Sequence, residues 1–336
     1  MCIRDRLITV FLTVIKILTK PGERLSSQTF ELWLLAYFMI VIISLAGSTL
    51  FHLSLKGFLK TFTYLGFYFS LVQYLKNNKS KIPLMLASVA GIPAVYGLAA
   101  YFLTDKKYKF ASVSLALALL ATITLFLTGC RGSYIGMMVI ITGMFAVSAK
   151  YLWQNYKKIY LSVVGGVVAF ATAALLLVSS LRARVLSIFA MRQDSSNSFR
   201  FNVYHSSVEM FKDNWLLGIG VGNQNFREIY GLYMKTGFDA LSAYNIFLEI
   251  GVESGVFALI AFVGFLITLI KNSVNFILKS AETKDVIIVS AALISICAVS
   301  IHGLVDTVFF RPQIQFIFWT MAAIAGTMIS TRDSHL

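Results

Sequence analysis

Charge is what this sequence has least of. Asp, Glu, Lys and Arg make up 13% of its 336 residues, about half the share of an average soluble domain. Hydrophobic residues are 58% of the chain, and mean hydropathy is +0.78. This excludes an ordinary water-soluble protein and makes the bilayer the expected solvent. Carboxylates are scarcer than cations, 15 against 29, for a formal charge of +14. In a soluble protein that balance points to nucleic acid. Here much of the Lys and Arg sits in short gaps between apolar runs, where the positive-inside rule puts it, so no nucleic-acid partner is expected. Cysteine is rare as well: Cys2, Cys130 and Cys297 show no CxxC and no Cys/His ligand spacing. They read as small hydrophobes, and neither a metal nor a cofactor is expected.

Other absences bound the organisation. No small-residue cleavage site follows the basic start MCIRDRLITVFLTVIKILTKPGE, and Lys16 and Lys20 interrupt its apolar run, so it does not read as a signal peptide. Residues 1–31 are taken as an amphipathic or truncated membrane segment. Met1 to Arg6 look unlike a native start, as in a truncated or artefactual record. No fixed-period repeat, broken-helix pair or long linker is evident, which leaves one membrane domain over residues 32–336.

Crossing about 30 Å of hydrocarbon takes roughly 20 apolar residues as a helix, because backbone groups must be satisfied within the segment. Nine runs meet that length loosely: Leu32 to Phe51, Gly57 to Leu75, Ile82 to Thr104, Phe110 to Thr128, Gly132 to Ala149, Ile159 to Ser179, Tyr244 to Ile270, Val286 to Val305, and Gln313 to Ser330. The fold class is therefore all-α, a polytopic bundle of nine or ten spanning helices embedded in lipid. Residues 181–243 are too polar to span and form a long extracytoplasmic segment with amphipathic helices. Alternating the runs gathers Lys56, Lys60, Lys106, Lys107, Lys109, Lys150, Lys157, Lys158, Lys271, Lys279, Lys284 and Arg332 on one side, the expected cytoplasm. Lys76, Lys79, Lys81, Arg131, Arg311 and the long segment fall on the other.

Several polar residues stand out against this background. Arg131 sits in the tight turn Thr128-Gly129-Cys130-Arg131-Gly132-Ser133 between two apolar runs. Arginine at membrane depth is costly and usually faces the bundle or a cavity. Flanked by glycines, it suits a bidentate grip on phosphate or carboxylate, or it is an interfacial arginine that ends a hairpin. Arg200 opens a helix whose Phe201, Tyr204, Val208 and Phe211 recur at helical spacing. It is either solvated or part of the same anion site. The run Gly218-Ile219-Gly220-Val221-Gly222 lacks the βαβ context of a nucleotide loop and reads as a tight loop whose amides could contact an anion. Glu249 and Glu253 lie one turn apart and repel, so an arginine partner or a bound proton is expected. His302 and Asp306 are likewise one turn apart, ready to shuttle protons or to form a buried pair.

The stretches TGCRGSYIG, RFNVYHSSVEMFKDNWLLGIGVGNQNF and SAYNIFLEIGVESG resemble, in that order, the signature regions of the O-antigen ligase and polymerase superfamily of bacterial envelope proteins. Within it, FDALSAYNIFLEIGVESG and HGLVDTVFFRPQIQFIFW look most similar to a cyanobacterial family of bicarbonate, or inorganic-carbon, transporters. The resemblance covers roughly Ile82 to Ser330 and implies a multi-pass protein of the bacterial inner membrane. In the ligases it implies metal-independent glycan transfer at the outer face, with arginines holding the pyrophosphate of a polyprenyl-linked glycan and a histidine activating the acceptor. Arg131 and Arg200 match those arginines. The histidine position reads Tyr244, followed by the matching Asn245, and an unperturbed tyrosine is a poor base at neutral pH. In the transporter branch the resemblance implies a small anion such as bicarbonate at Arg131, Arg200, Asn245 and Arg311, with Glu249, Glu253, His302 and Asp306 handling protons or ion pairs.

Overall fold

The computed structural model describes residues 28–89, 91–188 and 195–333. The segment expected over residues 1–31 lies almost wholly outside them. Among the described residues the regular elements are all helical: α1 Thr29–Ala46, α2 Phe51–Asn77, α3 Ile82–Val89, α4 Ile92–Thr104, α5 Tyr108–Thr128, α6 Arg131–Leu177, α7 Ser179–Ile188, α8 Ser195–Asp213, α9 Asn223–Tyr230, α10 Ile246–Lys279, α11 Thr283–His302 and α12 Pro312–Asp333. Seven segments of the described residues are long and apolar enough to cross a membrane: α1, α5, Arg131–Trp153 and Tyr156–Leu177 of α6, α10, α11 and α12. The chain is thus a polytopic helical membrane protein.

Two of the nine expected crossings fail that measure, for different reasons. Helix α2 has 27 residues, about 40 Å at 1.5 Å per residue, but Lys, Ser, Thr and Tyr dilute its apolar character. It still runs beside α12, with the rings of Tyr64 and Phe67 edge-on to Phe316 at 5.5 and 5.1 Å. The run Ile82 to Thr104 is not one helix. Gly91 is extended (φ −70, ψ 144) and Pro93 stands at the start of α4, so the segment splits into pieces of 8 and 13 residues, too short to span. Both ends of this hairpin return to the same end of the bundle. Lys79, just before α3, lies within electrostatic reach of Asp285, and Asp105, just after α4, is ion-paired with Lys284. The tip at Gly91 reaches Ile317.

This re-entrant hairpin corrects the expected arrangement of the first loops. Lys60 donates to the Phe310 carbonyl at 3.3 Å, so it and Lys56 lie at the end that carries the long segment. Lys76, Lys79 and Lys81 lie at the opposite end, with Lys279 and Lys284. Counting the hairpin as a crossing inverts everything before it, which is why alternation fails there.

Helix α10 is broken. Gly255 takes φ 81, ψ 176, a region essentially reserved for glycine, and the loop between α8 and α9 docks into the break. Ile219 N–H donates to Val252 O (2.9 Å), Gly220 N–H to Glu253 O (2.9 Å) and Val256 N–H to Trp215 O (2.8 Å), while Ser44 Oγ donates to Glu253 O (3.0 Å). A Cβ at Gly218 or Gly255 would overlap the facing backbone. Irregular backbone at membrane depth survives because protein groups replace the missing helical bonds. The sequence shows no pair of broken helices, and this single break is carried by Gly255, which nothing in the apolar run marks out.

Helix α6 folds back on itself at Tyr156 (φ −130, ψ 31), with Tyr160 OH donating to Phe145 O at 3.0 Å. Its second half presents Phe170, 77% exposed, and Leu177, 84% exposed, as α5 presents Leu127, 81% exposed. Such a surface suits contact with lipid. At the long-segment end, α8 packs Val203, Ser206, Ser207 and Met210 inward and leaves Phe201 and Val208 exposed. The packed face lies one residue away from the apolar stripe through Phe201, Tyr204 and Val208, and it carries the small Ser206 and Ser207.

Candidate functional site

Several of the candidate residues lie at that same end. Helix α5 stops at Gly129, whose left-handed conformation (φ 66) turns the chain and delivers Cys130 and Arg131 to the start of α6. Arg131 Nη1 reaches Asn197 Oδ1 at 3.5 Å, and Arg200 Nη1, one turn further along α8, donates to Ser196 Oγ at 3.2 Å. Both guanidinium groups therefore meet the first turn of α8. Arg200 also lies near enough to Asp306 and Tyr204 to act on their titration.

Opposite them stand His302, the last residue of α11, and Asp306. His302 Nε2 lies 3.8 Å from Asp306 Oδ2, while Asp306 Oδ1 caps the following 3-10 turn by accepting from Thr307 N–H at 2.7 Å. The His302 side chain, helped by the Thr307 amide and Arg200, holds the Asp306 carboxyl below the ordinary carboxylate range against the effect of burial. Cys130 faces the same imidazole. His302 first, then Ser133, draw its thiol down to about 6, although burial works the other way.

Tyr204 closes the floor. Its hydroxyl is directed at the carbonyls of Tyr244 (3.2 Å) and Leu304 (3.3 Å). Burial raises its pKa, Arg200 opposes the shift and Asp306 adds to it. Tyr244 is held in the left-handed region (φ 51), an unusual position for a non-glycine residue, and its ring is edge-on to Phe199 at 5.6 Å. Asn245 is the N-cap of α10: Oδ1 accepts from Phe247 and Leu248 N–H at 2.9 and 3.0 Å, and Nδ2 donates to Leu304 O at 3.1 Å. Its amide ties α10 to the turn after α11, leaving little free for an anion.

The acidic pair lies elsewhere. Glu249 Oε2 accepts from Ala243 N–H at 3.2 Å and Glu253 Oε1 from Gly222 N–H at 2.8 Å, both carboxylates being buried. The groups facing them are backbone amides and Lys60 rather than an arginine. Glu253, Lys60, Tyr37, Gln315 and Trp319 line a small, partly open pocket. Arg311 is exposed at the start of α12, following the Phe310 carbonyl that Lys60 contacts. The structure thus places Arg131, Arg200, His302 and Asp306 around the start of α8, with Tyr244 beside them through Tyr204, while Glu249 and Glu253 bind the Ala243 and Gly222 amides and Arg311 is exposed at the start of α12.

Cys130, Tyr204 and Lys60 were not singled out by sequence. Cys130 has no local ligand spacing because its partners lie on α11, and Tyr204 was read only as part of an apolar stripe. Lys60 was assigned to the wrong end.

Residues 115–263 match the family model described as O-antigen ligase. The match contains Arg131, Arg200, Tyr244 and Asn245 and stops short of His302 and Asp306. It supports a relationship to the O-antigen ligase-like superfamily over less than half of the chain. No curated protein matches the sequence.

Proposed function

We propose that this protein transfers a glycan from a polyprenyl-pyrophosphate donor at the extracytoplasmic face of a bacterial inner membrane. The convergence of Arg131 and Arg200 on the first turn of α8 carries this reading. Paired guanidinium groups match the geometry and charge of a pyrophosphate, and the donor needs no ATP because its sugar is already activated as a glycosyl ester of that pyrophosphate, which leaves with the lipid when the C1–O bond breaks. The long segment faces outward in this reading, since the opposite end collects the lysines of the short loops. The match to the O-antigen ligase family model, which includes both arginines, is consistent with it. In reconstituted vesicles supplied with a lipid-linked glycan and an acceptor, Arg131→Gln or Arg200→Gln should lower transfer by about 100-fold. Arg131→Lys should restore only part of it, because a point charge does not reproduce a fork. Unchanged transfer in both glutamine variants sinks the proposal.

A second reading, passage of a small anion such as bicarbonate, draws on a different observation. The broken α10, the re-entrant hairpin and the Lys60–Glu253 cavity are features that carriers use to build a site at membrane depth. Saturable uptake of labelled bicarbonate into sealed proteoliposomes, lost in Lys60→Gln, would favour transport over transfer.

A further inference from the structure

One cluster beside the arginines has no part in gripping a pyrophosphate. Cys130 Sγ, His302 Nε2 and a carboxylate oxygen of Asp306 all lie within 4.8 Å of one another. His302 Nε2 is buried without a hydrogen bond, and a buried polar atom in that state calls for a partner such as an ion. The ring is confined on one side by Gly132, where a Cβ would meet its Cδ2 and Nε2 at 2.5 Å. Asp306 is oriented by its bond to Thr307 N–H so that Oδ2 is left on the His302 side. Sulfur, nitrogen and oxygen therefore converge on one point from two helices and a turn.

We propose that Cys130, His302 and Asp306 form a three-ligand site for a borderline-soft divalent cation of the Zn²⁺ class. With Zn–S near 2.3 Å and Zn–N or Zn–O near 2.0–2.2 Å, ligand atoms around a tetrahedral ion sit roughly 3.3–3.8 Å apart. The present spacing, up to 4.8 Å, needs a closure of at most about 1.5 Å to meet that geometry. A thiolate and a carboxylate together cancel the ionic charge, so an occupied site adds no net cation beside Arg131 and Arg200. Thiolate and imidazole favour Zn²⁺ or Co²⁺ over Mg²⁺ and Ca²⁺, which require oxygen ligands. Three protein ligands leave a fourth position, as in zinc sites that bind water or substrate rather than structural ones. The metal site stands apart from the transfer reading, whose chemistry needs no metal.

The test uses the full-length protein in detergent, with Cys2→Ser as background, stripped with chelator and titrated with Co²⁺. The expected result is one equivalent per chain, with thiolate-to-cobalt charge-transfer absorption that Zn²⁺ displaces. Cys130→Ser should abolish the band, Asp306→Asn should weaken binding at least about tenfold, and Cys297→Ser should change neither. A second measurement needs no ligand variant: Zn²⁺ should slow alkylation of Cys130, read by peptide mass spectrometry, and leave Cys297 unaffected. Absence of the band, its persistence in Cys130→Ser, or equal alkylation of Cys130 with and without Zn²⁺ overturns the site. None of these readouts involves glycan transfer, so failure of the metal site and failure of the transfer reading are separable.

Discussion

At the scale of single residues, Cys130 offers the sharpest measurement. Its thiol titrates near 6 because His302 stabilises the thiolate, whereas an ordinary cysteine titrates near 8.5. A lowered pKa means the reactive thiolate forms earlier as pH rises. In chelator-treated protein the alkylation rate of Cys130 should therefore climb through about pH 6 and flatten above 7. Asp306, held ionised below its ordinary range, adds no titration of its own there. A rate still climbing past pH 8 would refute the His302 contact. Gly132→Ala should have the same effect by a different route, because the added methyl displaces the ring. These relations were invisible in the sequence, since Cys130 and His302 are far apart in the chain and no local spacing records them. Arg131 stands out in the sequence because an arginine bordering an apolar run is costly enough to need a reason, and Arg200 only because it opens a helix expected on the same face. The acidic pair was legible as residues but not as partners: Glu253 faces the Gly222 amide, and side-chain charge counting has no term for backbone amides.

At the scale of elements, the break in α10 is the feature most exposed to substitution. Gly255→Ala forces a Cβ into the Leu216 carbonyl and a residue into φ 81, ψ 176, where the backbone cost alone is about 1–3 kcal/mol. It should lower the thermal midpoint in detergent markedly and release the 214–222 loop, seen as faster amide exchange of Ile219 and Gly220. Gly165→Ala is the control, because nothing lies within 4 Å of its added Cβ. Equal midpoints for the two variants would mean that α10 runs straight through Gly255. The same elements show why hydropathy reads some segments and not others. Runs such as Tyr108–Thr128 and Thr283–His302 are single helices, and their apolar sum is enough to find them. Ile82–Thr104 is as apolar, yet Gly91 and Pro93 break its backbone, and a sum over side chains does not register a change of chain direction. On α8 the small Ser206 and Ser207 are buried while the larger Phe201 and Val208 face outward, so the face that packs is set by how closely two helices approach and not by the apolar stripe.

At the scale of the whole molecule, the hairpin decides how the chain is threaded. With Ile82–Thr104 entering and leaving at one end, α1 and α2 run antiparallel between the two ends, and Lys56 shares the end of the arginine crevice while Lys79 shares that of Asp105. The distribution of cations then agrees better with the positive-inside rule than simple alternation does, since Lys76, Lys79 and Lys81 join the lysines of the other short loops. Single cysteines at positions 56, 79 and 107, introduced in place of lysine in a cysteine-free background, test this with a membrane-impermeant maleimide applied to intact cells and to permeabilised ones. Lys56→Cys should be labelled in intact cells, whereas Lys79→Cys and Lys107→Cys should both require permeabilisation. Labelling of positions 79 and 107 from opposite faces would show that residues 82–104 cross the membrane, and the crevice built from Cys130 onward would then have to be separated from the end that holds Lys60. Labelling of both only after permeabilisation would leave Lys60, Glu253 and the arginines opening toward one compartment, the arrangement a transferase acting on an outward-facing lipid-linked donor requires.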